Sequence, residues 1–322
     1  MDKLWMSLEV RAKRREAEAV YSFELAYPDL ELLPPFEAGA HLEVRVGESL
    51  IRHYSLCNSP DERDRYVIGV HKASSSRGGS VAMAALNVGD VIQVSAPRNQ
   101  FQLDPQARHC VLIAGGIGVT PILAMARQLH LQGRSFELHY LARSWRTAGF
   151  VQDIERSRFA HHASFHFEDE LAGRPDLQRI VGQPRDGSHL YVCGPAVLMD
   201  GAFDVALAQG WSATHLHREH FKAVLPPTDA VQDEQSFKVV TRSTGETFEV
   251  PAGISVLDVL DAAGVFVPSS CREGLCGTCV TGVLEGTPDH RDVCLSAQER
   301  DSNTVFMPCC SRSKSPVLVL DL

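Results

Sequence analysis

The sequence is short of cationic charge, of aromatic residues and of long apolar runs. Against 40 Asp and Glu stand only 31 Lys and Arg, so the formal net charge is -9 and the pI lies near 5.9. A phosphate-binding surface needs a basic excess, which excludes nucleic acid as an expected partner. No run of 18 apolar residues occurs, and the opening MDKLWMSLEV has no apolar h-region. Neither a membrane-spanning helix nor a secretory signal is expected, which points to a reducing cytoplasm and away from a disulfide framework. Also missing are a carboxylate pair, a nucleophile–base–acid triad and a metal box; the histidines of HLHREHF (His215, His217 and His220) have no carboxylate or cysteine pattern beside them. What remains, with 44% hydrophobic and 22% charged residues over 322 positions, is a globular chain of two or three domains.

Cysteine is not scarce. Within SCREGLCGTCV, Cys271, Cys276 and Cys279 stand as C-x4-C-x2-C, and Cys309 follows after 29 intervening residues. That is the plant-type spacing of four thiolates around a [2Fe-2S] cluster, with Gly274 and Gly277 allowing the loop to close around inorganic sulfide. Structural zinc sites favour paired C-x2-4-C knuckles, which a three-cysteine loop with one distant partner fits poorly. Cys294 comes too early, fourteen intervening residues after Cys279, to be the fourth ligand; Cys310, adjacent to Cys309, is not separated from it by spacing.

The first hundred residues alternate in short runs such as LEVRAKRREAEAVYSFEL and AHLEVRV, broken at Pro34-Pro35, Gly39, Gly47, Gly78-Gly79 and Gly89. Short half-buried strands with frequent breakers predict a small antiparallel barrel. In RHYSLCNSP, alternation puts Arg52 and Tyr54 on one strand face, and in HKASSSRGGSVAMA the run Ser76 to Ser80 precedes a helical turn where N–H groups can cradle a phosphate. From His109 the period changes. HCVLIAGG reads as a buried strand, Thr120 as an N-cap, Pro121 as the first helical position, and PILAMARQLHLQG as a helix running out at Gly133. FELHYLARS is a second strand, and Leu190 to Cys193 a further one leading into Gly194-Pro195 and another helix, so a parallel α/β domain is expected. Gly115, Gly116 and Gly118 let a pyrophosphate approach the helix start, although the third glycine of the usual fingerprint is replaced by Pro121 and Arg143 and Ser144, not an acid, end the second strand.

KAVLPPTDAVQDEQ, Lys222 to Gln235, reads as a connector. FKVVTRSTGETFEV then predicts two strands about a turn, and ISVLDVLDAAG an amphipathic helix ending at Gly264, ahead of the cysteine loop. From Gln232 to Leu322 there are 13 acids and 7 bases, a balance of -6, which reads equally as a surface steering a basic partner or as a solvated face.

The pair R-x-Y-S-L and S-R-G-G-S resembles the flavin barrel of the ferredoxin-reductase superfamily. By that resemblance Arg52, Gly79 and Ser80 hold the flavin phosphate and Tyr54 and Ser55 line the ring, with His53, Val70, His71, Lys72 and Gly78 in the same cofactor-binding set. GGIGVTP followed by YVCGP resembles the pyridine-nucleotide domain of that superfamily: Gly116, Gly118, Thr120 and Pro121 meet the pyrophosphate, Thr120 also touches the flavin, Cys193, Gly194 and Pro195 border the nicotinamide, and Arg143 joins the nucleotide site. His217 to Phe221 matches H-x-E-x-F, whose phenylalanine, here Phe221, covers a flavin face, and the family's C-x-S-R frame makes Cys309 the ligand. The whole order resembles the phthalate dioxygenase reductase and vanillate O-demethylase reductase family. The resemblance implies a multidomain chain of an antiparallel β-barrel for FMN (residues 1–104), an α/β parallel-sheet domain for NADH (105–225), a linker (226–235) and an α+β ferredoxin domain of β-grasp type (236–322). It implies a monomer that feeds electrons to a Rieske-type terminal oxygenase, with no nucleic acid and no membrane involved; a haem monooxygenase is the alternative acceptor. NADH is preferred by the resemblance, while Arg143 and Arg146 pull toward NADPH. Heat-released flavin is expected to have the mass of FMN; FAD in its place would overturn the mononucleotide assignment.

Overall fold

Backbone pairing accounts for both halves of the sequence pattern in the computed structural model, which describes residues 5–29, 31–46, 50–73, 78–170, 175–221 and 234–322. Seven strands form an antiparallel sheet: β1 (Trp5–Ala17), β2 (Val20–Ala26), β3 (Ala40–Val46), β4 (Leu50–Ser55), β5 (Tyr66–His71), β6 (Val91–Ser95) and β7 (Arg98–Asn99). Their order is β4-β3-β6-β1-β2-β5, with β7 beside β3, and a bridge between Leu56 and Ile68 joins the two ends into the expected barrel. Inside lie Leu8, Val10, Phe23, Leu42, Val44, Ile68 and Val70, the inward members of the period-2 pattern. Helix α1 (Gly79–Ala85) covers one side with Met83 turned into that core.

The next segment is a parallel sheet. Strands β8 (His109–Gly115), β9 (Ser135–Ala142), β10 (Ala163–Phe167), β11 (Ser188–Cys193) and β12 (Leu216–Glu219) lie in the order β10-β9-β8-β11-β12. Between them run α2 (Val119–Leu131), α3 (Val151–Glu155), α4 (Leu177–Val181) and α5 (Ala196–Ala208). Helices α2 and α3 bury their apolar faces with Leu112, Leu138 and Tyr140 on one side of the sheet, and α4 and α5 with Val111, Ile113 and Val192 on the other. The chain winds outward from β8 in one direction and from β11 in the other, so the strand order reverses between these two, where α/β proteins open a crevice for nucleotides.

Barrel and parallel sheet form one body, Met1–Glu219. Val20, Ala38, Cys57 and Phe101 of the barrel share a core with α2. Arg127 on α2 donates to the Cys57 carbonyl at 2.6 Å and to Asp153 at 2.7 Å, and Gln128 accepts from the Ala38 N–H at 2.8 Å. The start of α2 departs from expectation. A short 3-10 turn at Gly116–Gly118 begins the winding, so the helix opens at Val119, and neither Thr120 as its N-cap nor Pro121 as its first residue holds; Thr120 donates instead to the Ile117 carbonyl at 3.1 Å. Pro121 is tolerated one turn in because N–H groups there have no intrahelical partner to lose.

The second body is His220–Leu322. Its sheet, β14-β13-β19-β15-β17, is built from β13 (Phe237–Thr241), β14 (Thr247–Val250), β15 (Thr281–Glu285), β17 (Val305–Phe306) and β19 (Val317–Leu320), with β13 and β19 parallel and the other pairs antiparallel; β16 (Pro288–Asp289) pairs with β18 (Arg312–Ser313). The helix Val256–Ala262, capped by Ser255, packs Val256, Leu257 and Leu260 on this sheet, the β-grasp arrangement. Among the described residues no helix is long and apolar enough to cross a membrane.

At the crevice, side chains are excluded by backbone. A Cβ on Gly118 would overlap the Cys193 carbonyl, and one on Gly194 would meet the Gly115 Cα at 2.8 Å. Gly118→Ala is expected to cost about 1–3 kcal/mol and to lower the melting temperature by several degrees, with weaker NADH binding, as read by thermal unfolding and nucleotide titration.

Candidate functional site

The strand β4 carries Arg52, His53, Tyr54 and Ser55 and faces β3 in a register that sets Val44 opposite Arg52 and Leu42 opposite Tyr54. Leu42 and Val44 are core residues, so Arg52 and Tyr54 share the core-side face, as alternation predicts. Arg52 lies along the start of α1: a Cβ on Gly79 would stand 2.8 Å from the Arg52 Nε. The structure thus brings Arg52 and Gly79 together with Ser80, whose hydroxyl accepts from the Ala73 N–H at 3.2 Å. Gly78 precedes them with a positive φ of 96°, which favours glycine. Ser76 and Arg77 of the same loop lie outside the described residues. Tyr54 packs on the barrel core, and burial pushes its hydroxyl up to about 12 against the pull of Arg52. His53 stacks on His41 at 5.0 Å between ring centroids. Val70 spends its side chain in the core, while His71 and Lys72 are exposed at the end of β5, where the Lys72 N–H donates to Ala19 at 2.7 Å.

At the sheet crevice, the turn after β8 meets the turn after β11. Gly116 has φ +53 and open space where a side chain would be, and Tyr140 on β9 holds this turn by donating to the Gly116 carbonyl at 3.1 Å. Across from it are Cys193, Gly194 and an exposed Pro195. Thr120 is buried, and its methyl would lie 2.5 Å from a Cβ at Gly69 on β5, so the nucleotide turn touches the barrel at Thr120. Arg143 is exposed beyond β9, its carbonyl accepting from the Asp169 N–H at 3.1 Å. Phe221, 37% exposed, belongs to the second body.

One residue here escapes sequence reasoning. Glu219 ends β12 next to Cys193 in register, and the Ser55 hydroxyl donates to its carboxyl at 3.3 Å. Burial pushes the Glu219 carboxyl up to about 8, opposed by Ser55, and burial together with Glu219 pushes the Cys193 thiol well up. Ser55, Glu219 and Cys193 therefore converge where barrel and crevice meet. Glu219 is the E of the H-x-E-x-F match, but nothing in the sequence assigned it a role; its partners are 164 residues away at Ser55 and on the adjoining strand.

In the second body the four predicted thiols fall into two pairs. Cys271 and Cys276 hydrogen-bond one another, which holds Cys276 well below and Cys271 well above the ordinary thiol range, and Cys279 bonds Cys309. Main-chain N–H groups point at the same sulfurs: Glu273 and Leu275 at Cys271, each at 3.4 Å, Thr278 at Cys276, and Gly274 at Cys309. Among the described residues no three ligating side chains close on one metal position. Two pairs of thiols with amide donors beside them suit a two-iron cluster better than a single ion. Gly274 and Gly277 both take positive φ, 73° and 67°, so the loop can wind around the sulfurs. Cys294 is pushed up to about 12 by burial and by Asp292, and Cys310 packs its sulfur against Gly274 while also reaching the Cys309 thiol. Arg312 closes the C-x-S-R frame as a clamp, donating to the carbonyls of Ile254, Gln235 and Pro251 at 2.8–3.1 Å.

Comparison with known proteins agrees with this division. Residues 239–314 match the 2Fe-2S iron-sulfur cluster binding domain, and residues 91–216 match the N-terminal domain of dimethylamine monooxygenase subunit DmmA-like proteins. The chain is 47% identical over 319 residues to a vanillate O-demethylase oxidoreductase of Pseudomonas sp. strain HR199, covering 97% of this chain and 98% of that one. Its structure resembles phthalate dioxygenase reductase, described as a modular structure for electron transfer from pyridine nucleotides to [2Fe-2S], with TM-score 0.76 and 40% identity over 99% of this chain and 98% of that one. It also resembles an intact type IV self-sufficient cytochrome P450 monooxygenase, TM-score 0.85 and 36% identity, over 99% of this chain but 41% of that one.

The raised Glu219 carboxyl has a pH signature. Because the folded state keeps its proton to about pH 8 while the unfolded chain releases it near 4.5, the stability it contributes is complete below 4.5 and is lost as pH rises to 8. The slope is at most about 1.4 kcal/mol per pH unit. Glu219→Gln is expected to flatten the fall in melting temperature between pH 5 and pH 8, measured by thermal unfolding at intervals across that range.

Proposed function

The chain belongs to the family of the vanillate O-demethylase oxidoreductases and phthalate dioxygenase reductases, and from that premise we propose that it delivers its electrons to a Rieske-type terminal oxygenase or demethylase. It is an NADH-dependent oxidoreductase with FMN and a [2Fe-2S] cluster, the reductase component of an oxygenase system. Bound FMN accepts electrons two at a time and releases them singly, and the bound cluster carries one. The protein's own residues bind, orient and exclude water.

Residues 1–104 are the flavin module, 105–225 the nucleotide module, 226–235 the connector and 236–322 the cluster module; residues 222–233 lie outside the described segment. In the flavin module, Arg52 with the Gly78–Gly79–Ser80 turn takes the phosphate, and Tyr54, Ser55 and the flanking His53, Val70, His71 and Lys72 border the ring. Gly116, Gly118, Thr120 and Pro121 receive the NADH pyrophosphate, Arg143 the adenosine end, and Cys193, Gly194 and Pro195 the nicotinamide, with Phe221 on a flavin face. Support for this reading comes from Arg52 lying on Gly79 and from the glycine turns meeting where the strand order reverses. Ser55 donates to the Glu219 carboxyl at 3.3 Å, and burial disfavours charge on that carboxyl, so the pair would present a weakly charged polar edge beside the ring that Ser55 would border. Cys271, Cys276, Cys279 and Cys309 would hold the cluster. The monomeric state and cytoplasmic location belong to the same proposal.

The single observation that carries the reading is the pairing of the four thiols behind amide donors, in one chain with a nucleotide crevice. A second acceptor class is favoured by one finding, the similarity to part of a self-sufficient cytochrome P450: the electrons would then go to a haem protein. Stopped-flow reduction of a purified Rieske oxygenase against that of a P450 domain separates the two.

Electron entry and exit can be uncoupled at Cys309. Cys309→Ala is expected to bleach flavin normally with NADH but to lose the cluster's visible absorption and nearly all single-electron transfer to the oxygenase, whereas Cys310→Ala and Cys294→Ala retain both. Loss of the cluster in Cys310→Ala with retention in Cys309→Ala would move the ligand by one position.

A further inference from the structure

The segment after β16 contains a buried charge that stability alone does not justify. The side chain of Asp292 is fully buried. Its Oδ2 accepts from the Leu295 N–H at 2.8 Å and lies 3.7 Å from both the Cys294 Sγ and the Arg300 guanidinium. Its Oδ1 has no hydrogen-bond partner; His290 Nδ1 approaches it to 3.9 Å, and neither His290 ring nitrogen nor the Arg300 Nε has a partner of its own. A buried carboxylate with one oxygen unpaired is a destabilising choice where an apolar residue would fit, so the residue is held there for what its other oxygen and its charge do.

What that oxygen does is fix the turn that grips the cysteine loop. The next residue, Val293, donates its N–H to the Gly274 carbonyl at 3.0 Å, and a Cβ on Gly274 would stand 3.1 Å from the Asp292 Cα. Gly274 lies inside the cysteine loop, two residues before Cys276, and a Cβ on it would also stand 2.5 Å from the Cys310 sulfur. We propose that Asp292 is a positioning residue for the cluster: through the 292–295 turn it holds Gly274, and with it the cysteine loop, in place, and its charge, balanced by Arg300, lowers the reduction potential. The inference rests on the four-thiol [2Fe-2S] reading. An anion near the cluster opposes the arrival of an electron, and a cation favours it.

The test uses the full chain, loaded anaerobically with iron and sulfide, with iron content, EPR of the reduced cluster and its midpoint potential as readouts. Asp292→Asn keeps the acceptor for Leu295 and removes the charge; it is expected to load normally and to raise the potential. Arg300→Gln, at a position 39% exposed, is expected to load normally and to lower it. Asp292→Ala removes charge and acceptor together and is expected to lose at least half its cluster per chain and to change the EPR line shape. Val239→Ala, an equally buried lesion on β13, should destabilise the same body with wild-type EPR and potential. Shifts of the same sign in Asp292→Asn and Arg300→Gln, no shift in either, or an Asp292→Ala protein that loads like Val239→Ala would overturn the proposal. A wild-type chain that gives no [2Fe-2S] EPR signal would instead remove the four-thiol reading on which it rests.

Discussion

The Cys193 carbonyl occupies the space that any side chain at position 118 would need. Much of the first body depends on that constraint, because the two turns that end β8 and β11 can lie backbone against backbone only if Gly115, Gly118 and Gly194 have no side chains. Their contact sets the width of the crevice where the strand order reverses. It also fixes the start of α2, whose residues Arg127 and Gln128 hold the barrel, so that Gly69, Thr120 and Phe150 meet with no space for a larger residue. The nucleotide turn is thereby built against the flavin barrel and not merely tethered to it.

Charge is handled differently in the two bodies. In the first, burial at the crevice end of the sheet disfavours charge on Glu219 and on Cys193. In the second body the loop does the opposite. Main-chain N–H groups crowd around four sulfurs and lower the cost of thiolate charge, while Asp292, one turn away, sets an anion against them. The cluster module thus has two levers on the cluster's electron affinity, amide donors pulling one way and a buried carboxylate the other.

The family's C-x-S-R ending has a physical explanation of the same kind. Arg312 stacks over Phe237 and donates to three carbonyls on the opposite side of the module, and Ser311 accepts from the Arg291 N–H. Cys309 therefore sits at the end of a segment nailed down on its far side, while Cys310, one residue on, turns to Gly274. Adjacent cysteines with the same local sequence acquire different roles from what surrounds them.

What the sequence by itself determined is what repeats or is spaced along the chain: barrel strands from alternation and breakers, parallel-sheet strands and helices from the change of period at His109, and a cluster loop from C-x4-C-x2-C. Its resemblance to a known family named the residues around the flavin and the nucleotide. Tertiary structure alone decided that the helix opens at Val119 and not after a Thr120 cap, because a 3-10 turn winds first. It alone decided which thiols pair, that Glu219 stands over Ser55, and that Asp292 grips Gly274. Apart from Cys271 and Cys276, neighbours in C-x4-C, those are contacts between residues from 18 to 164 positions apart, and their energy comes from burial and hydrogen bonds that exist only when the chain has closed, so no local pattern could carry them.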